Sequence, residues 1–215
     1  LGLGDEAAVG VMSEAMGTPY EVSGTIHLHG SLVSRLSDPD TASANMALTA
    51  LRVEGDPQSV AYRVEKLRRG LSPFGETYEF DNHESRAFWA DIRSLAFLSG
   101  NFDRPLWRIT VAPSKAAQIV RALSAFFPLS AAYEWSGGLI WLETAPSSEA
   151  SVTELRRVLA EFEADSMLMR APRPVRSSIE VFHPLPMTKM KLVQAVKKAF
   201  DPAGVLNPGR MYAGV

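Results

Sequence analysis

At 215 residues the chain is long enough for one large or two small domains, and its 46% hydrophobic content is ordinary for a globular core. A net charge of −2 and a pI near 6.1 provide no broad basic field, which argues against general nucleic-acid binding. The absence of cysteine excludes disulfides, thiol catalysis and cysteine-ligated clusters, and no apolar run approaches the ~20 residues that span a bilayer, so a soluble, cytoplasmic protein is expected.

The opening Leu1-Gly2-Leu3-Gly4 leads at once into a helix with no initiator methionine, and so reads as a fragment or processed product. Asp5 to Met16 is that helix, with acidic residues in its first turn and Gly17 as its stop. Tyr20 to Leu28 reads as a strand, followed by a Ser/Asp/Pro-rich connection to about Asn45. Met46 to Glu54 alternates as a strand, and Asp56-Pro57 caps a helix whose stripe is Val60, Val64 and Leu67. Thr77 to Phe80 is a short strand, and Phe88, Trp89, Ile92 and Leu95 mark a further helix.

From Leu106 the signals sharpen. Leu106 to Val111 is a strand, and Pro113-Ser114 opens a helix with Ile119, Val120, Leu123, Phe126 and Phe127 on one stripe. Leu129 to Trp135 and Leu139 to Thr144 form a hairpin around Ser136-Gly137-Gly138, whose glycines permit the positive φ of a tight turn. A helix from Ser151, with Ser151 and Glu154 as a capping box, leads to a strand from Ser166 to Arg170. This β-α-β-β-α-β order over about 106–170 predicts an α+β fold, a ferredoxin-like antiparallel sheet with helices packed on one face. Its other face needs a cover. Residues 172–186 read as a proline-punctuated linker, and Met187 to Phe200 as the last helix.

A sheet covered on one face sorts side chains by parity. Trp107, Ile109 and Val111 form the helix-facing set, which leaves Leu106, Arg108 and Thr110 opposite; Trp141 and Arg170 are further candidates for that second face. Arg108 and Arg170 have an ordinary alternative fate, pairing with acids such as Glu134 or Glu143. His27-Leu-His29 is the obvious metal temptation, but neither His83 nor His183 adds a characteristic third-ligand spacing, so no metal site is assigned. There is no Gly-x-Gly-x-x-Gly, Walker loop, nucleophile elbow or H-E-x-x-H, and no strand precedes Gly2-Leu-Gly4 to make it a phosphate loop.

The C-terminal stretch Asp201-Pro-Ala-Gly-Val-Leu-Asn-Pro-Gly-Arg-Met-Tyr-Ala-Gly is stiffened rather than frayed: Asn207-Pro208-Gly209 suits a type II turn, with the Arg210 fork just beyond it. With Phe200, this string resembles the C-terminal signature of FAD-linked oxidases of the vanillyl-alcohol-oxidase type. Leu106-Trp-Arg-Ile-Thr110, and Trp135-Ser-Gly-Gly138 followed by Trp141-Leu142, are similar more narrowly to the FAD-binding E subunits of bacterial glycolate oxidases. The similarity covers much of 76–215, with Tyr20-Glu-Val-Ser-Gly24 as weaker support.

The resemblance implies that 1–215 is a C-terminal cap, or substrate, domain, with a flavin-proximal motif at 200–211 and the N-terminal FAD-binding domain missing. It implies FAD, held mostly by that other domain, and oxidation of a 2-hydroxy acid, glycolate to glyoxylate. Arg108, Trp141 and Arg170 are then substrate-binding candidates, and Asn207, Gly209 and Arg210 cofactor-side ones; Arg210 stands where many relatives carry lysine. No catalytic base is assigned. Flavin-bearing D and iron–sulfur F subunits are the implied partners, which would hold the chain peripherally at the inner membrane. The fragment alone is expected to be inactive and to self-associate weakly through the Arg108 side of the sheet. The rival readings are a non-catalytic interaction module and a different FAD-linked oxidase, such as a D-lactate dehydrogenase.

Overall fold

The computed structural model describes residues 1–100, 102–145 and 149–215. In chain order the first half comprises α1 (Asp5–Met16), β1 (Val22–Leu28), α2 (Gly30–Val33), α3 (Pro39–Ser43), β2 (Leu48–Val53), α4 (Pro57–Leu71) and α5 (Asn82–Ser94). The second half comprises β3 (Leu106–Thr110), α6 (Ala116–Ser124), β4 (Leu129–Glu134), β5 (Leu139–Thr144), α7 (Glu149–Glu161), β6 (Asp165–Arg170), α8 (Arg173–Ser178) and α9 (Met187–Phe200). Among the described residues the strands form one antiparallel sheet in the order β2-β1-β4-β5-β3-β6. The segment β4-β5-β3-β6, with α6 and α7, is the ferredoxin-like unit read from 106–170. The upstream strands extend the same sheet by pairing β1 with β4.

Alternation sorts the sheet into two layers. Trp107, Ile109, Tyr133, Ile140 and Leu142 face α1, α6 and α7, in a core that includes Met12, Ile119, Leu123 and Leu155. Each such fully buried apolar side chain is worth roughly 1.5–3 kcal/mol. Ile26, Leu28, Leu106, Leu139 and Trp141 point the other way, onto α2, α5 and a 3₁₀ turn at Ala96–Leu98. The second face is therefore covered in part by this chain's own elements, through Leu32, Phe88, Ile92 and Phe97. Beside β1 and β2, Leu67 and Leu71 of α4 close a third cluster with Val11 and Ala15 of α1.

Several local readings hold and others shift. Asp56 accepts the N–H groups of Gln58 and Ser59 ahead of α4, with Pro57 at its first position. The reciprocal capping box forms at Asp81 and Glu84, ahead of α5. Helix α7 begins at Glu149, two residues ahead of Ser151. Residues 77–80, read as a short strand, lie outside any helix or strand. The expected linker after β6 holds α8 and a bridge from Phe182 to Met167, with Leu168 N–H donating to the Val181 carbonyl at 2.9 Å. No helix among the described residues is long and apolar enough to cross a membrane.

The β4–β5 connection is tighter than its glycines alone suggest. Trp135, Ser136 and Gly137 all have positive φ, at 52°, 56° and 98°. The run is held by Ser136 N–H donating to Thr25 Oγ1 at 3.0 Å and Gly138 N–H donating to the Trp135 carbonyl at 2.9 Å. A Cβ on Gly137 would lie 3.1 Å from Val9 Cγ1 and 3.2 Å from the Pro113 carbonyl. Gly137→Ala is therefore expected to lower unfolding free energy by roughly 1–3 kcal/mol. Gly70→Ala, in the last turn of α4 with nothing within 4 Å of the new methyl, should raise it by roughly 0.4–1 kcal/mol by restricting the unfolded chain. Urea titrations of both variants check the opposite signs.

Candidate functional site

The hairpin turn fixes the register of β4 on β5 by pairing Glu134 with Leu139, which sets Ala132 opposite Trp141. On the other flank, Arg108 sits opposite Trp141 and, across β3–β6, opposite Met167. Arg108, Trp141 and Glu134 thus share the second face, where the cover of α2 and α5 gives out. Trp141 is buried, and its indole N–H donates to Glu134 Oε2 at 2.9 Å. Trp135 is 64% exposed, with the Arg108 guanidinium carbon 5.7 Å from its ring centroid. Burial pushes the Glu134 carboxyl above its ordinary value, against the opposing pull of the Trp141 hydrogen bond and the Arg108 charge.

Arg108 forms no ion pair and donates no hydrogen bond among the described residues. A half-buried guanidinium that forms no ion pair among the described residues, bordered by the indoles of Trp135 and Trp141, suits a small anion with a flat or apolar body. Glu134 and Trp135 were not singled out from sequence as site residues. The signal was there in parity, since Glu134 alternates with Ala132, but only the turn geometry fixes which β5 residue each one meets.

Arg170 has a different employment. A register shift between Leu106 and Trp107 in the β3–β6 ladder places Arg170 opposite Leu106, on the second face, where unbroken alternation with Leu168 would turn it toward the helices. There its Nη2 donates to Glu143 Oε2 at 3.2 Å, and its other nitrogens bond the carbonyls of Leu98 and Arg104. Glu143 is fully buried and also receives Arg35 at 2.9 Å and Arg104 at 3.7 Å. This clamp ties β5 and β6 to the segments around residues 35, 98 and 104. Arg170 is consumed in structure while Arg108 is not.

The C-terminal motif forms the expected turn. Pro208 precedes Gly209, whose φ is 66°, and Arg210 N–H donates to the Asn207 carbonyl at 3.2 Å, the pattern of a type II turn. Asp201 orders the approach by accepting Val205 N–H and Leu206 N–H, at 3.0 and 2.9 Å, and pairing with Lys197. The Lys197 bond first, then the backbone bonds, bring its carboxyl down to about 2. Asn207, Gly209 and Arg210 are exposed, and among the described residues no hydrogen bond or ion pair joins them to Arg108, Trp141 or Arg170. They approach the site indirectly. Tyr212 donates to the His183 carbonyl at 3.0 Å and packs on Phe182, which bridges Met167, the neighbour of Arg108.

His27 and His29 converge on a residue that sequence spacing did not connect to them. Asp5, in the first turn of α1, accepts from His27 Nε2 at 3.3 Å, His29 Nε2 at 3.0 Å and the Tyr133 hydroxyl at 2.6 Å. The remaining ring nitrogens are also engaged, His27 Nδ1 with Thr49 Oγ1 and His29 Nδ1 with Ala131 N–H. Among the described residues no group of three or more His, Cys, Asp or Glu is placed to hold a metal ion. Burial alone raises the Asp5 carboxyl, but the bonds from His27, His29 and Tyr133 outweigh it and hold it well below the usual carboxylate range. Burial, and then the Asp5 charge, push the Tyr133 phenol up.

The same chain is 29% identical over 126 residues to glycolate oxidase subunit GlcE of Escherichia coli K12, a match that takes in 59% of this chain and 31% of that protein. Its fold is similar to 4-ethylphenol oxidase from Gulosibacter chungangensis, with a TM-score of 0.58 over 99% of this chain and 53% of that one, at 13% identity. The chain resembles the C-terminal domain of FAD-linked oxidases. It spans about a third of the length of the curated relative and about half of the solved structure. No family model matches it.

Two outcomes follow for the charged clusters of this FAD-oxidase-like domain. Glu143→Gln strands three guanidinium groups and is expected to lower stability by roughly 3–5 kcal/mol in urea unfolding. The folded Asp5 carboxyl titrates below its unfolded value, so its stabilisation is complete above about pH 4 and is lost as pH falls further. Asp5→Asn should therefore be less stable at pH 7 and show a shallower loss of stability below pH 4, measured as unfolding midpoints across an acid series.

Proposed function

We propose that the chain is the cap, or substrate, domain of an FAD-dependent oxidoreductase that oxidises a 2-hydroxy acid, glycolate to glyoxylate, within a glycolate oxidase complex. The observation that carries this reading is the unpaired Arg108 between Trp135 and Trp141, with Glu134 alongside. Arg108 receives the substrate carboxylate as a bidentate fork, and the indoles wall the site against water. Glu134, in its ionised form, accepts the proton of the 2-hydroxyl group. Trp141 N–H holds that carboxyl in place.

The residues on this face fit the ring half of a flavin better than its nucleotide half. Indoles and a guanidinium offer a flat, cationic surface, whereas the sequence has no Gly-x-Gly-x-x-Gly loop to cradle a pyrophosphate. Asn207, Gly209 and Arg210 are the cofactor-side residues in this reading, and most FAD contacts come from outside the chain. When bound, FAD supplies the acceptor for the hydride that leaves C2 of the acid. Arg170 assists through Glu143 by holding β5 and β6, not by touching substrate. Flavin-bearing D and iron–sulfur F subunits complete the complex, in the cytoplasm and at the inner membrane through those partners.

A second reading has a specific observation behind it. Helix α9 buries none of its residues, and Met187, Leu192, Val196 and Phe200 are all exposed, as expected of a module whose task is to bind another protein. The full gene product, coexpressed with its chromosomal neighbours, separates the two. Anaerobic glycolate should bleach the flavin absorbance of the oxidase. Arg108→Ala should raise KM about tenfold to a hundredfold, the loss of a charge-assisted contact of roughly 1.5–3 kcal/mol, with partial recovery in Arg108→Lys. Bleaching by D-lactate alone would move the substrate, and a preparation without flavin would favour the binding module.

A further inference from the structure

A cleft of about 590 Å³ lies away from the Arg108 site, along the outer edge of β2. Strand β2 pairs with β1 on one side only. On its other side, among the described residues, the single backbone bond is at Ala47, whose carbonyl receives Gly2 N–H. The cleft is also lined by the segment 76–80, which lies outside any helix or strand and whose backbone N–H and C=O groups form no backbone hydrogen bond among the described residues. Its Thr-Tyr-Glu-Phe alternation reads as a strand in sequence, yet it has no strand to pair with. Two unpaired edges thus face one space.

The walls suit the side chains of an inserted strand. Val60, Val64 and Leu67 of α4 line the cleft together with Phe74, Phe80 and Trp89, so the side chains of an inserted strand would find apolar cover. The six residues of β2 span about 20 Å, a common strand length. The charges select the occupant. Asp38, Asp40, Glu76, Glu79 and Glu84 line the cleft against two cations, Arg52 and Arg68. Both cations are engaged: Arg52 with Glu54 at 3.2 Å and the Trp89 ring at 5.0 Å, and Arg68 with Glu79 at 3.5 Å. The surplus is anionic.

We propose that this cleft receives an extended, lysine- or arginine-bearing segment of a partner protein, which pairs with β2 on one side and with residues 77–80 on the other. Volume alone also suits a small apolar molecule. The two unpaired backbone edges are what select a strand, since a small molecule leaves them as they are. This inference is independent of the proposed oxidation.

The test is fluorescence anisotropy of the 215-residue chain with a fluorescein-labelled nonapeptide of alternating valine and threonine, with lysine at each end. Saturable binding is expected, weakened at least tenfold when the lysines are replaced by glutamates and abolished when central residues are replaced by prolines, which lack the N–H donor. In the chain, Val64→Lys and the surface pair Asp40→Lys with Glu76→Lys should each weaken binding about tenfold or more, with circular-dichroism melts unchanged for the surface pair. Absence of saturable binding would overturn the proposal. So would equal binding of the proline peptide, indifference to both groove variants, or a dimer seen by light scattering that the peptide fails to disperse.

Discussion

Strand β5 is buried at every position from Leu139 to Thr144, between β4 and β3, and its alternation decides what each layer of the molecule contains. Ile140 and Leu142 go to α6 and α7; Trp141 and Glu143 go to the other face. A slip of one residue would drive the Glu143 carboxylate into the helix-side core and turn two branched apolar side chains out of it. The left-handed run from Trp135 to Gly137 prevents that slip, because its bonds to Thr25 and Gly138 allow one pairing, Glu134 with Leu139. The same turn therefore sets both the hydrophobic core and the placement of Glu134 beside Trp141.

The second face treats its charges in two ways. Glu143, with no access to water, is surrounded by Arg35, Arg104 and Arg170, and two of these arginines also bond backbone carbonyls. Desolvating a carboxylate is tolerable only with partners of this kind, and the group serves to join segments distant in sequence. A few ångströms along the same strands the balance reverses. Arg108 forms no ion pair among the described residues, and burial pushes the Glu134 carboxyl up while the Arg108 charge pulls it down. The fold thus surrounds one buried carboxylate with three guanidinium groups and leaves a neighbouring guanidinium with an aromatic ring and a single carboxyl nearby.

Much of this order was legible in the residues. Helix α1, the cap of α4, the ferredoxin-like unit and the facing of Trp107 and Ile109 follow from periodicity and turn chemistry, which act locally. What escaped depends on contacts far apart in sequence. Residues 77–80 carry a strand pattern, but pairing needs a partner that the described residues do not supply. Arg170 lies on the second face as read, but it gets there through a bulge that has no glycine to announce it. Asp5 looks like routine dipole chemistry at a helix start, and only the packing of α1 on β1 and β4 makes it the acceptor for His27, His29 and Tyr133. In the site, the facing of Arg108 followed from parity, whereas that of Trp141 relative to it depended on the register of β5 on β3. Glu134 was readable only as an ion-pair partner, because its bond to Trp141 depends on hairpin register.

Helix α9 bears on how the C-terminal motif is positioned. A 14-residue helix with no buried residue has little to stabilise it in water beyond its own hydrogen bonds. Here it gains from the Lys197–Asp201 pair, and Asp201 in turn holds Val205 and Leu206 so that the Asn207–Arg210 turn is preformed. Rigidity in the turn combined with exposure in the helix is a costly arrangement for a segment that only ends a chain, because Met187, Leu192 and Phe200 stay in water. It is an economical one for a segment that docks, since a preordered turn loses little entropy when its surface is covered. In the cap-domain reading the cover is the flavin-binding part of the whole protein. Tyr212, through Phe182 and Met167, links this tail to the strand that carries Arg108.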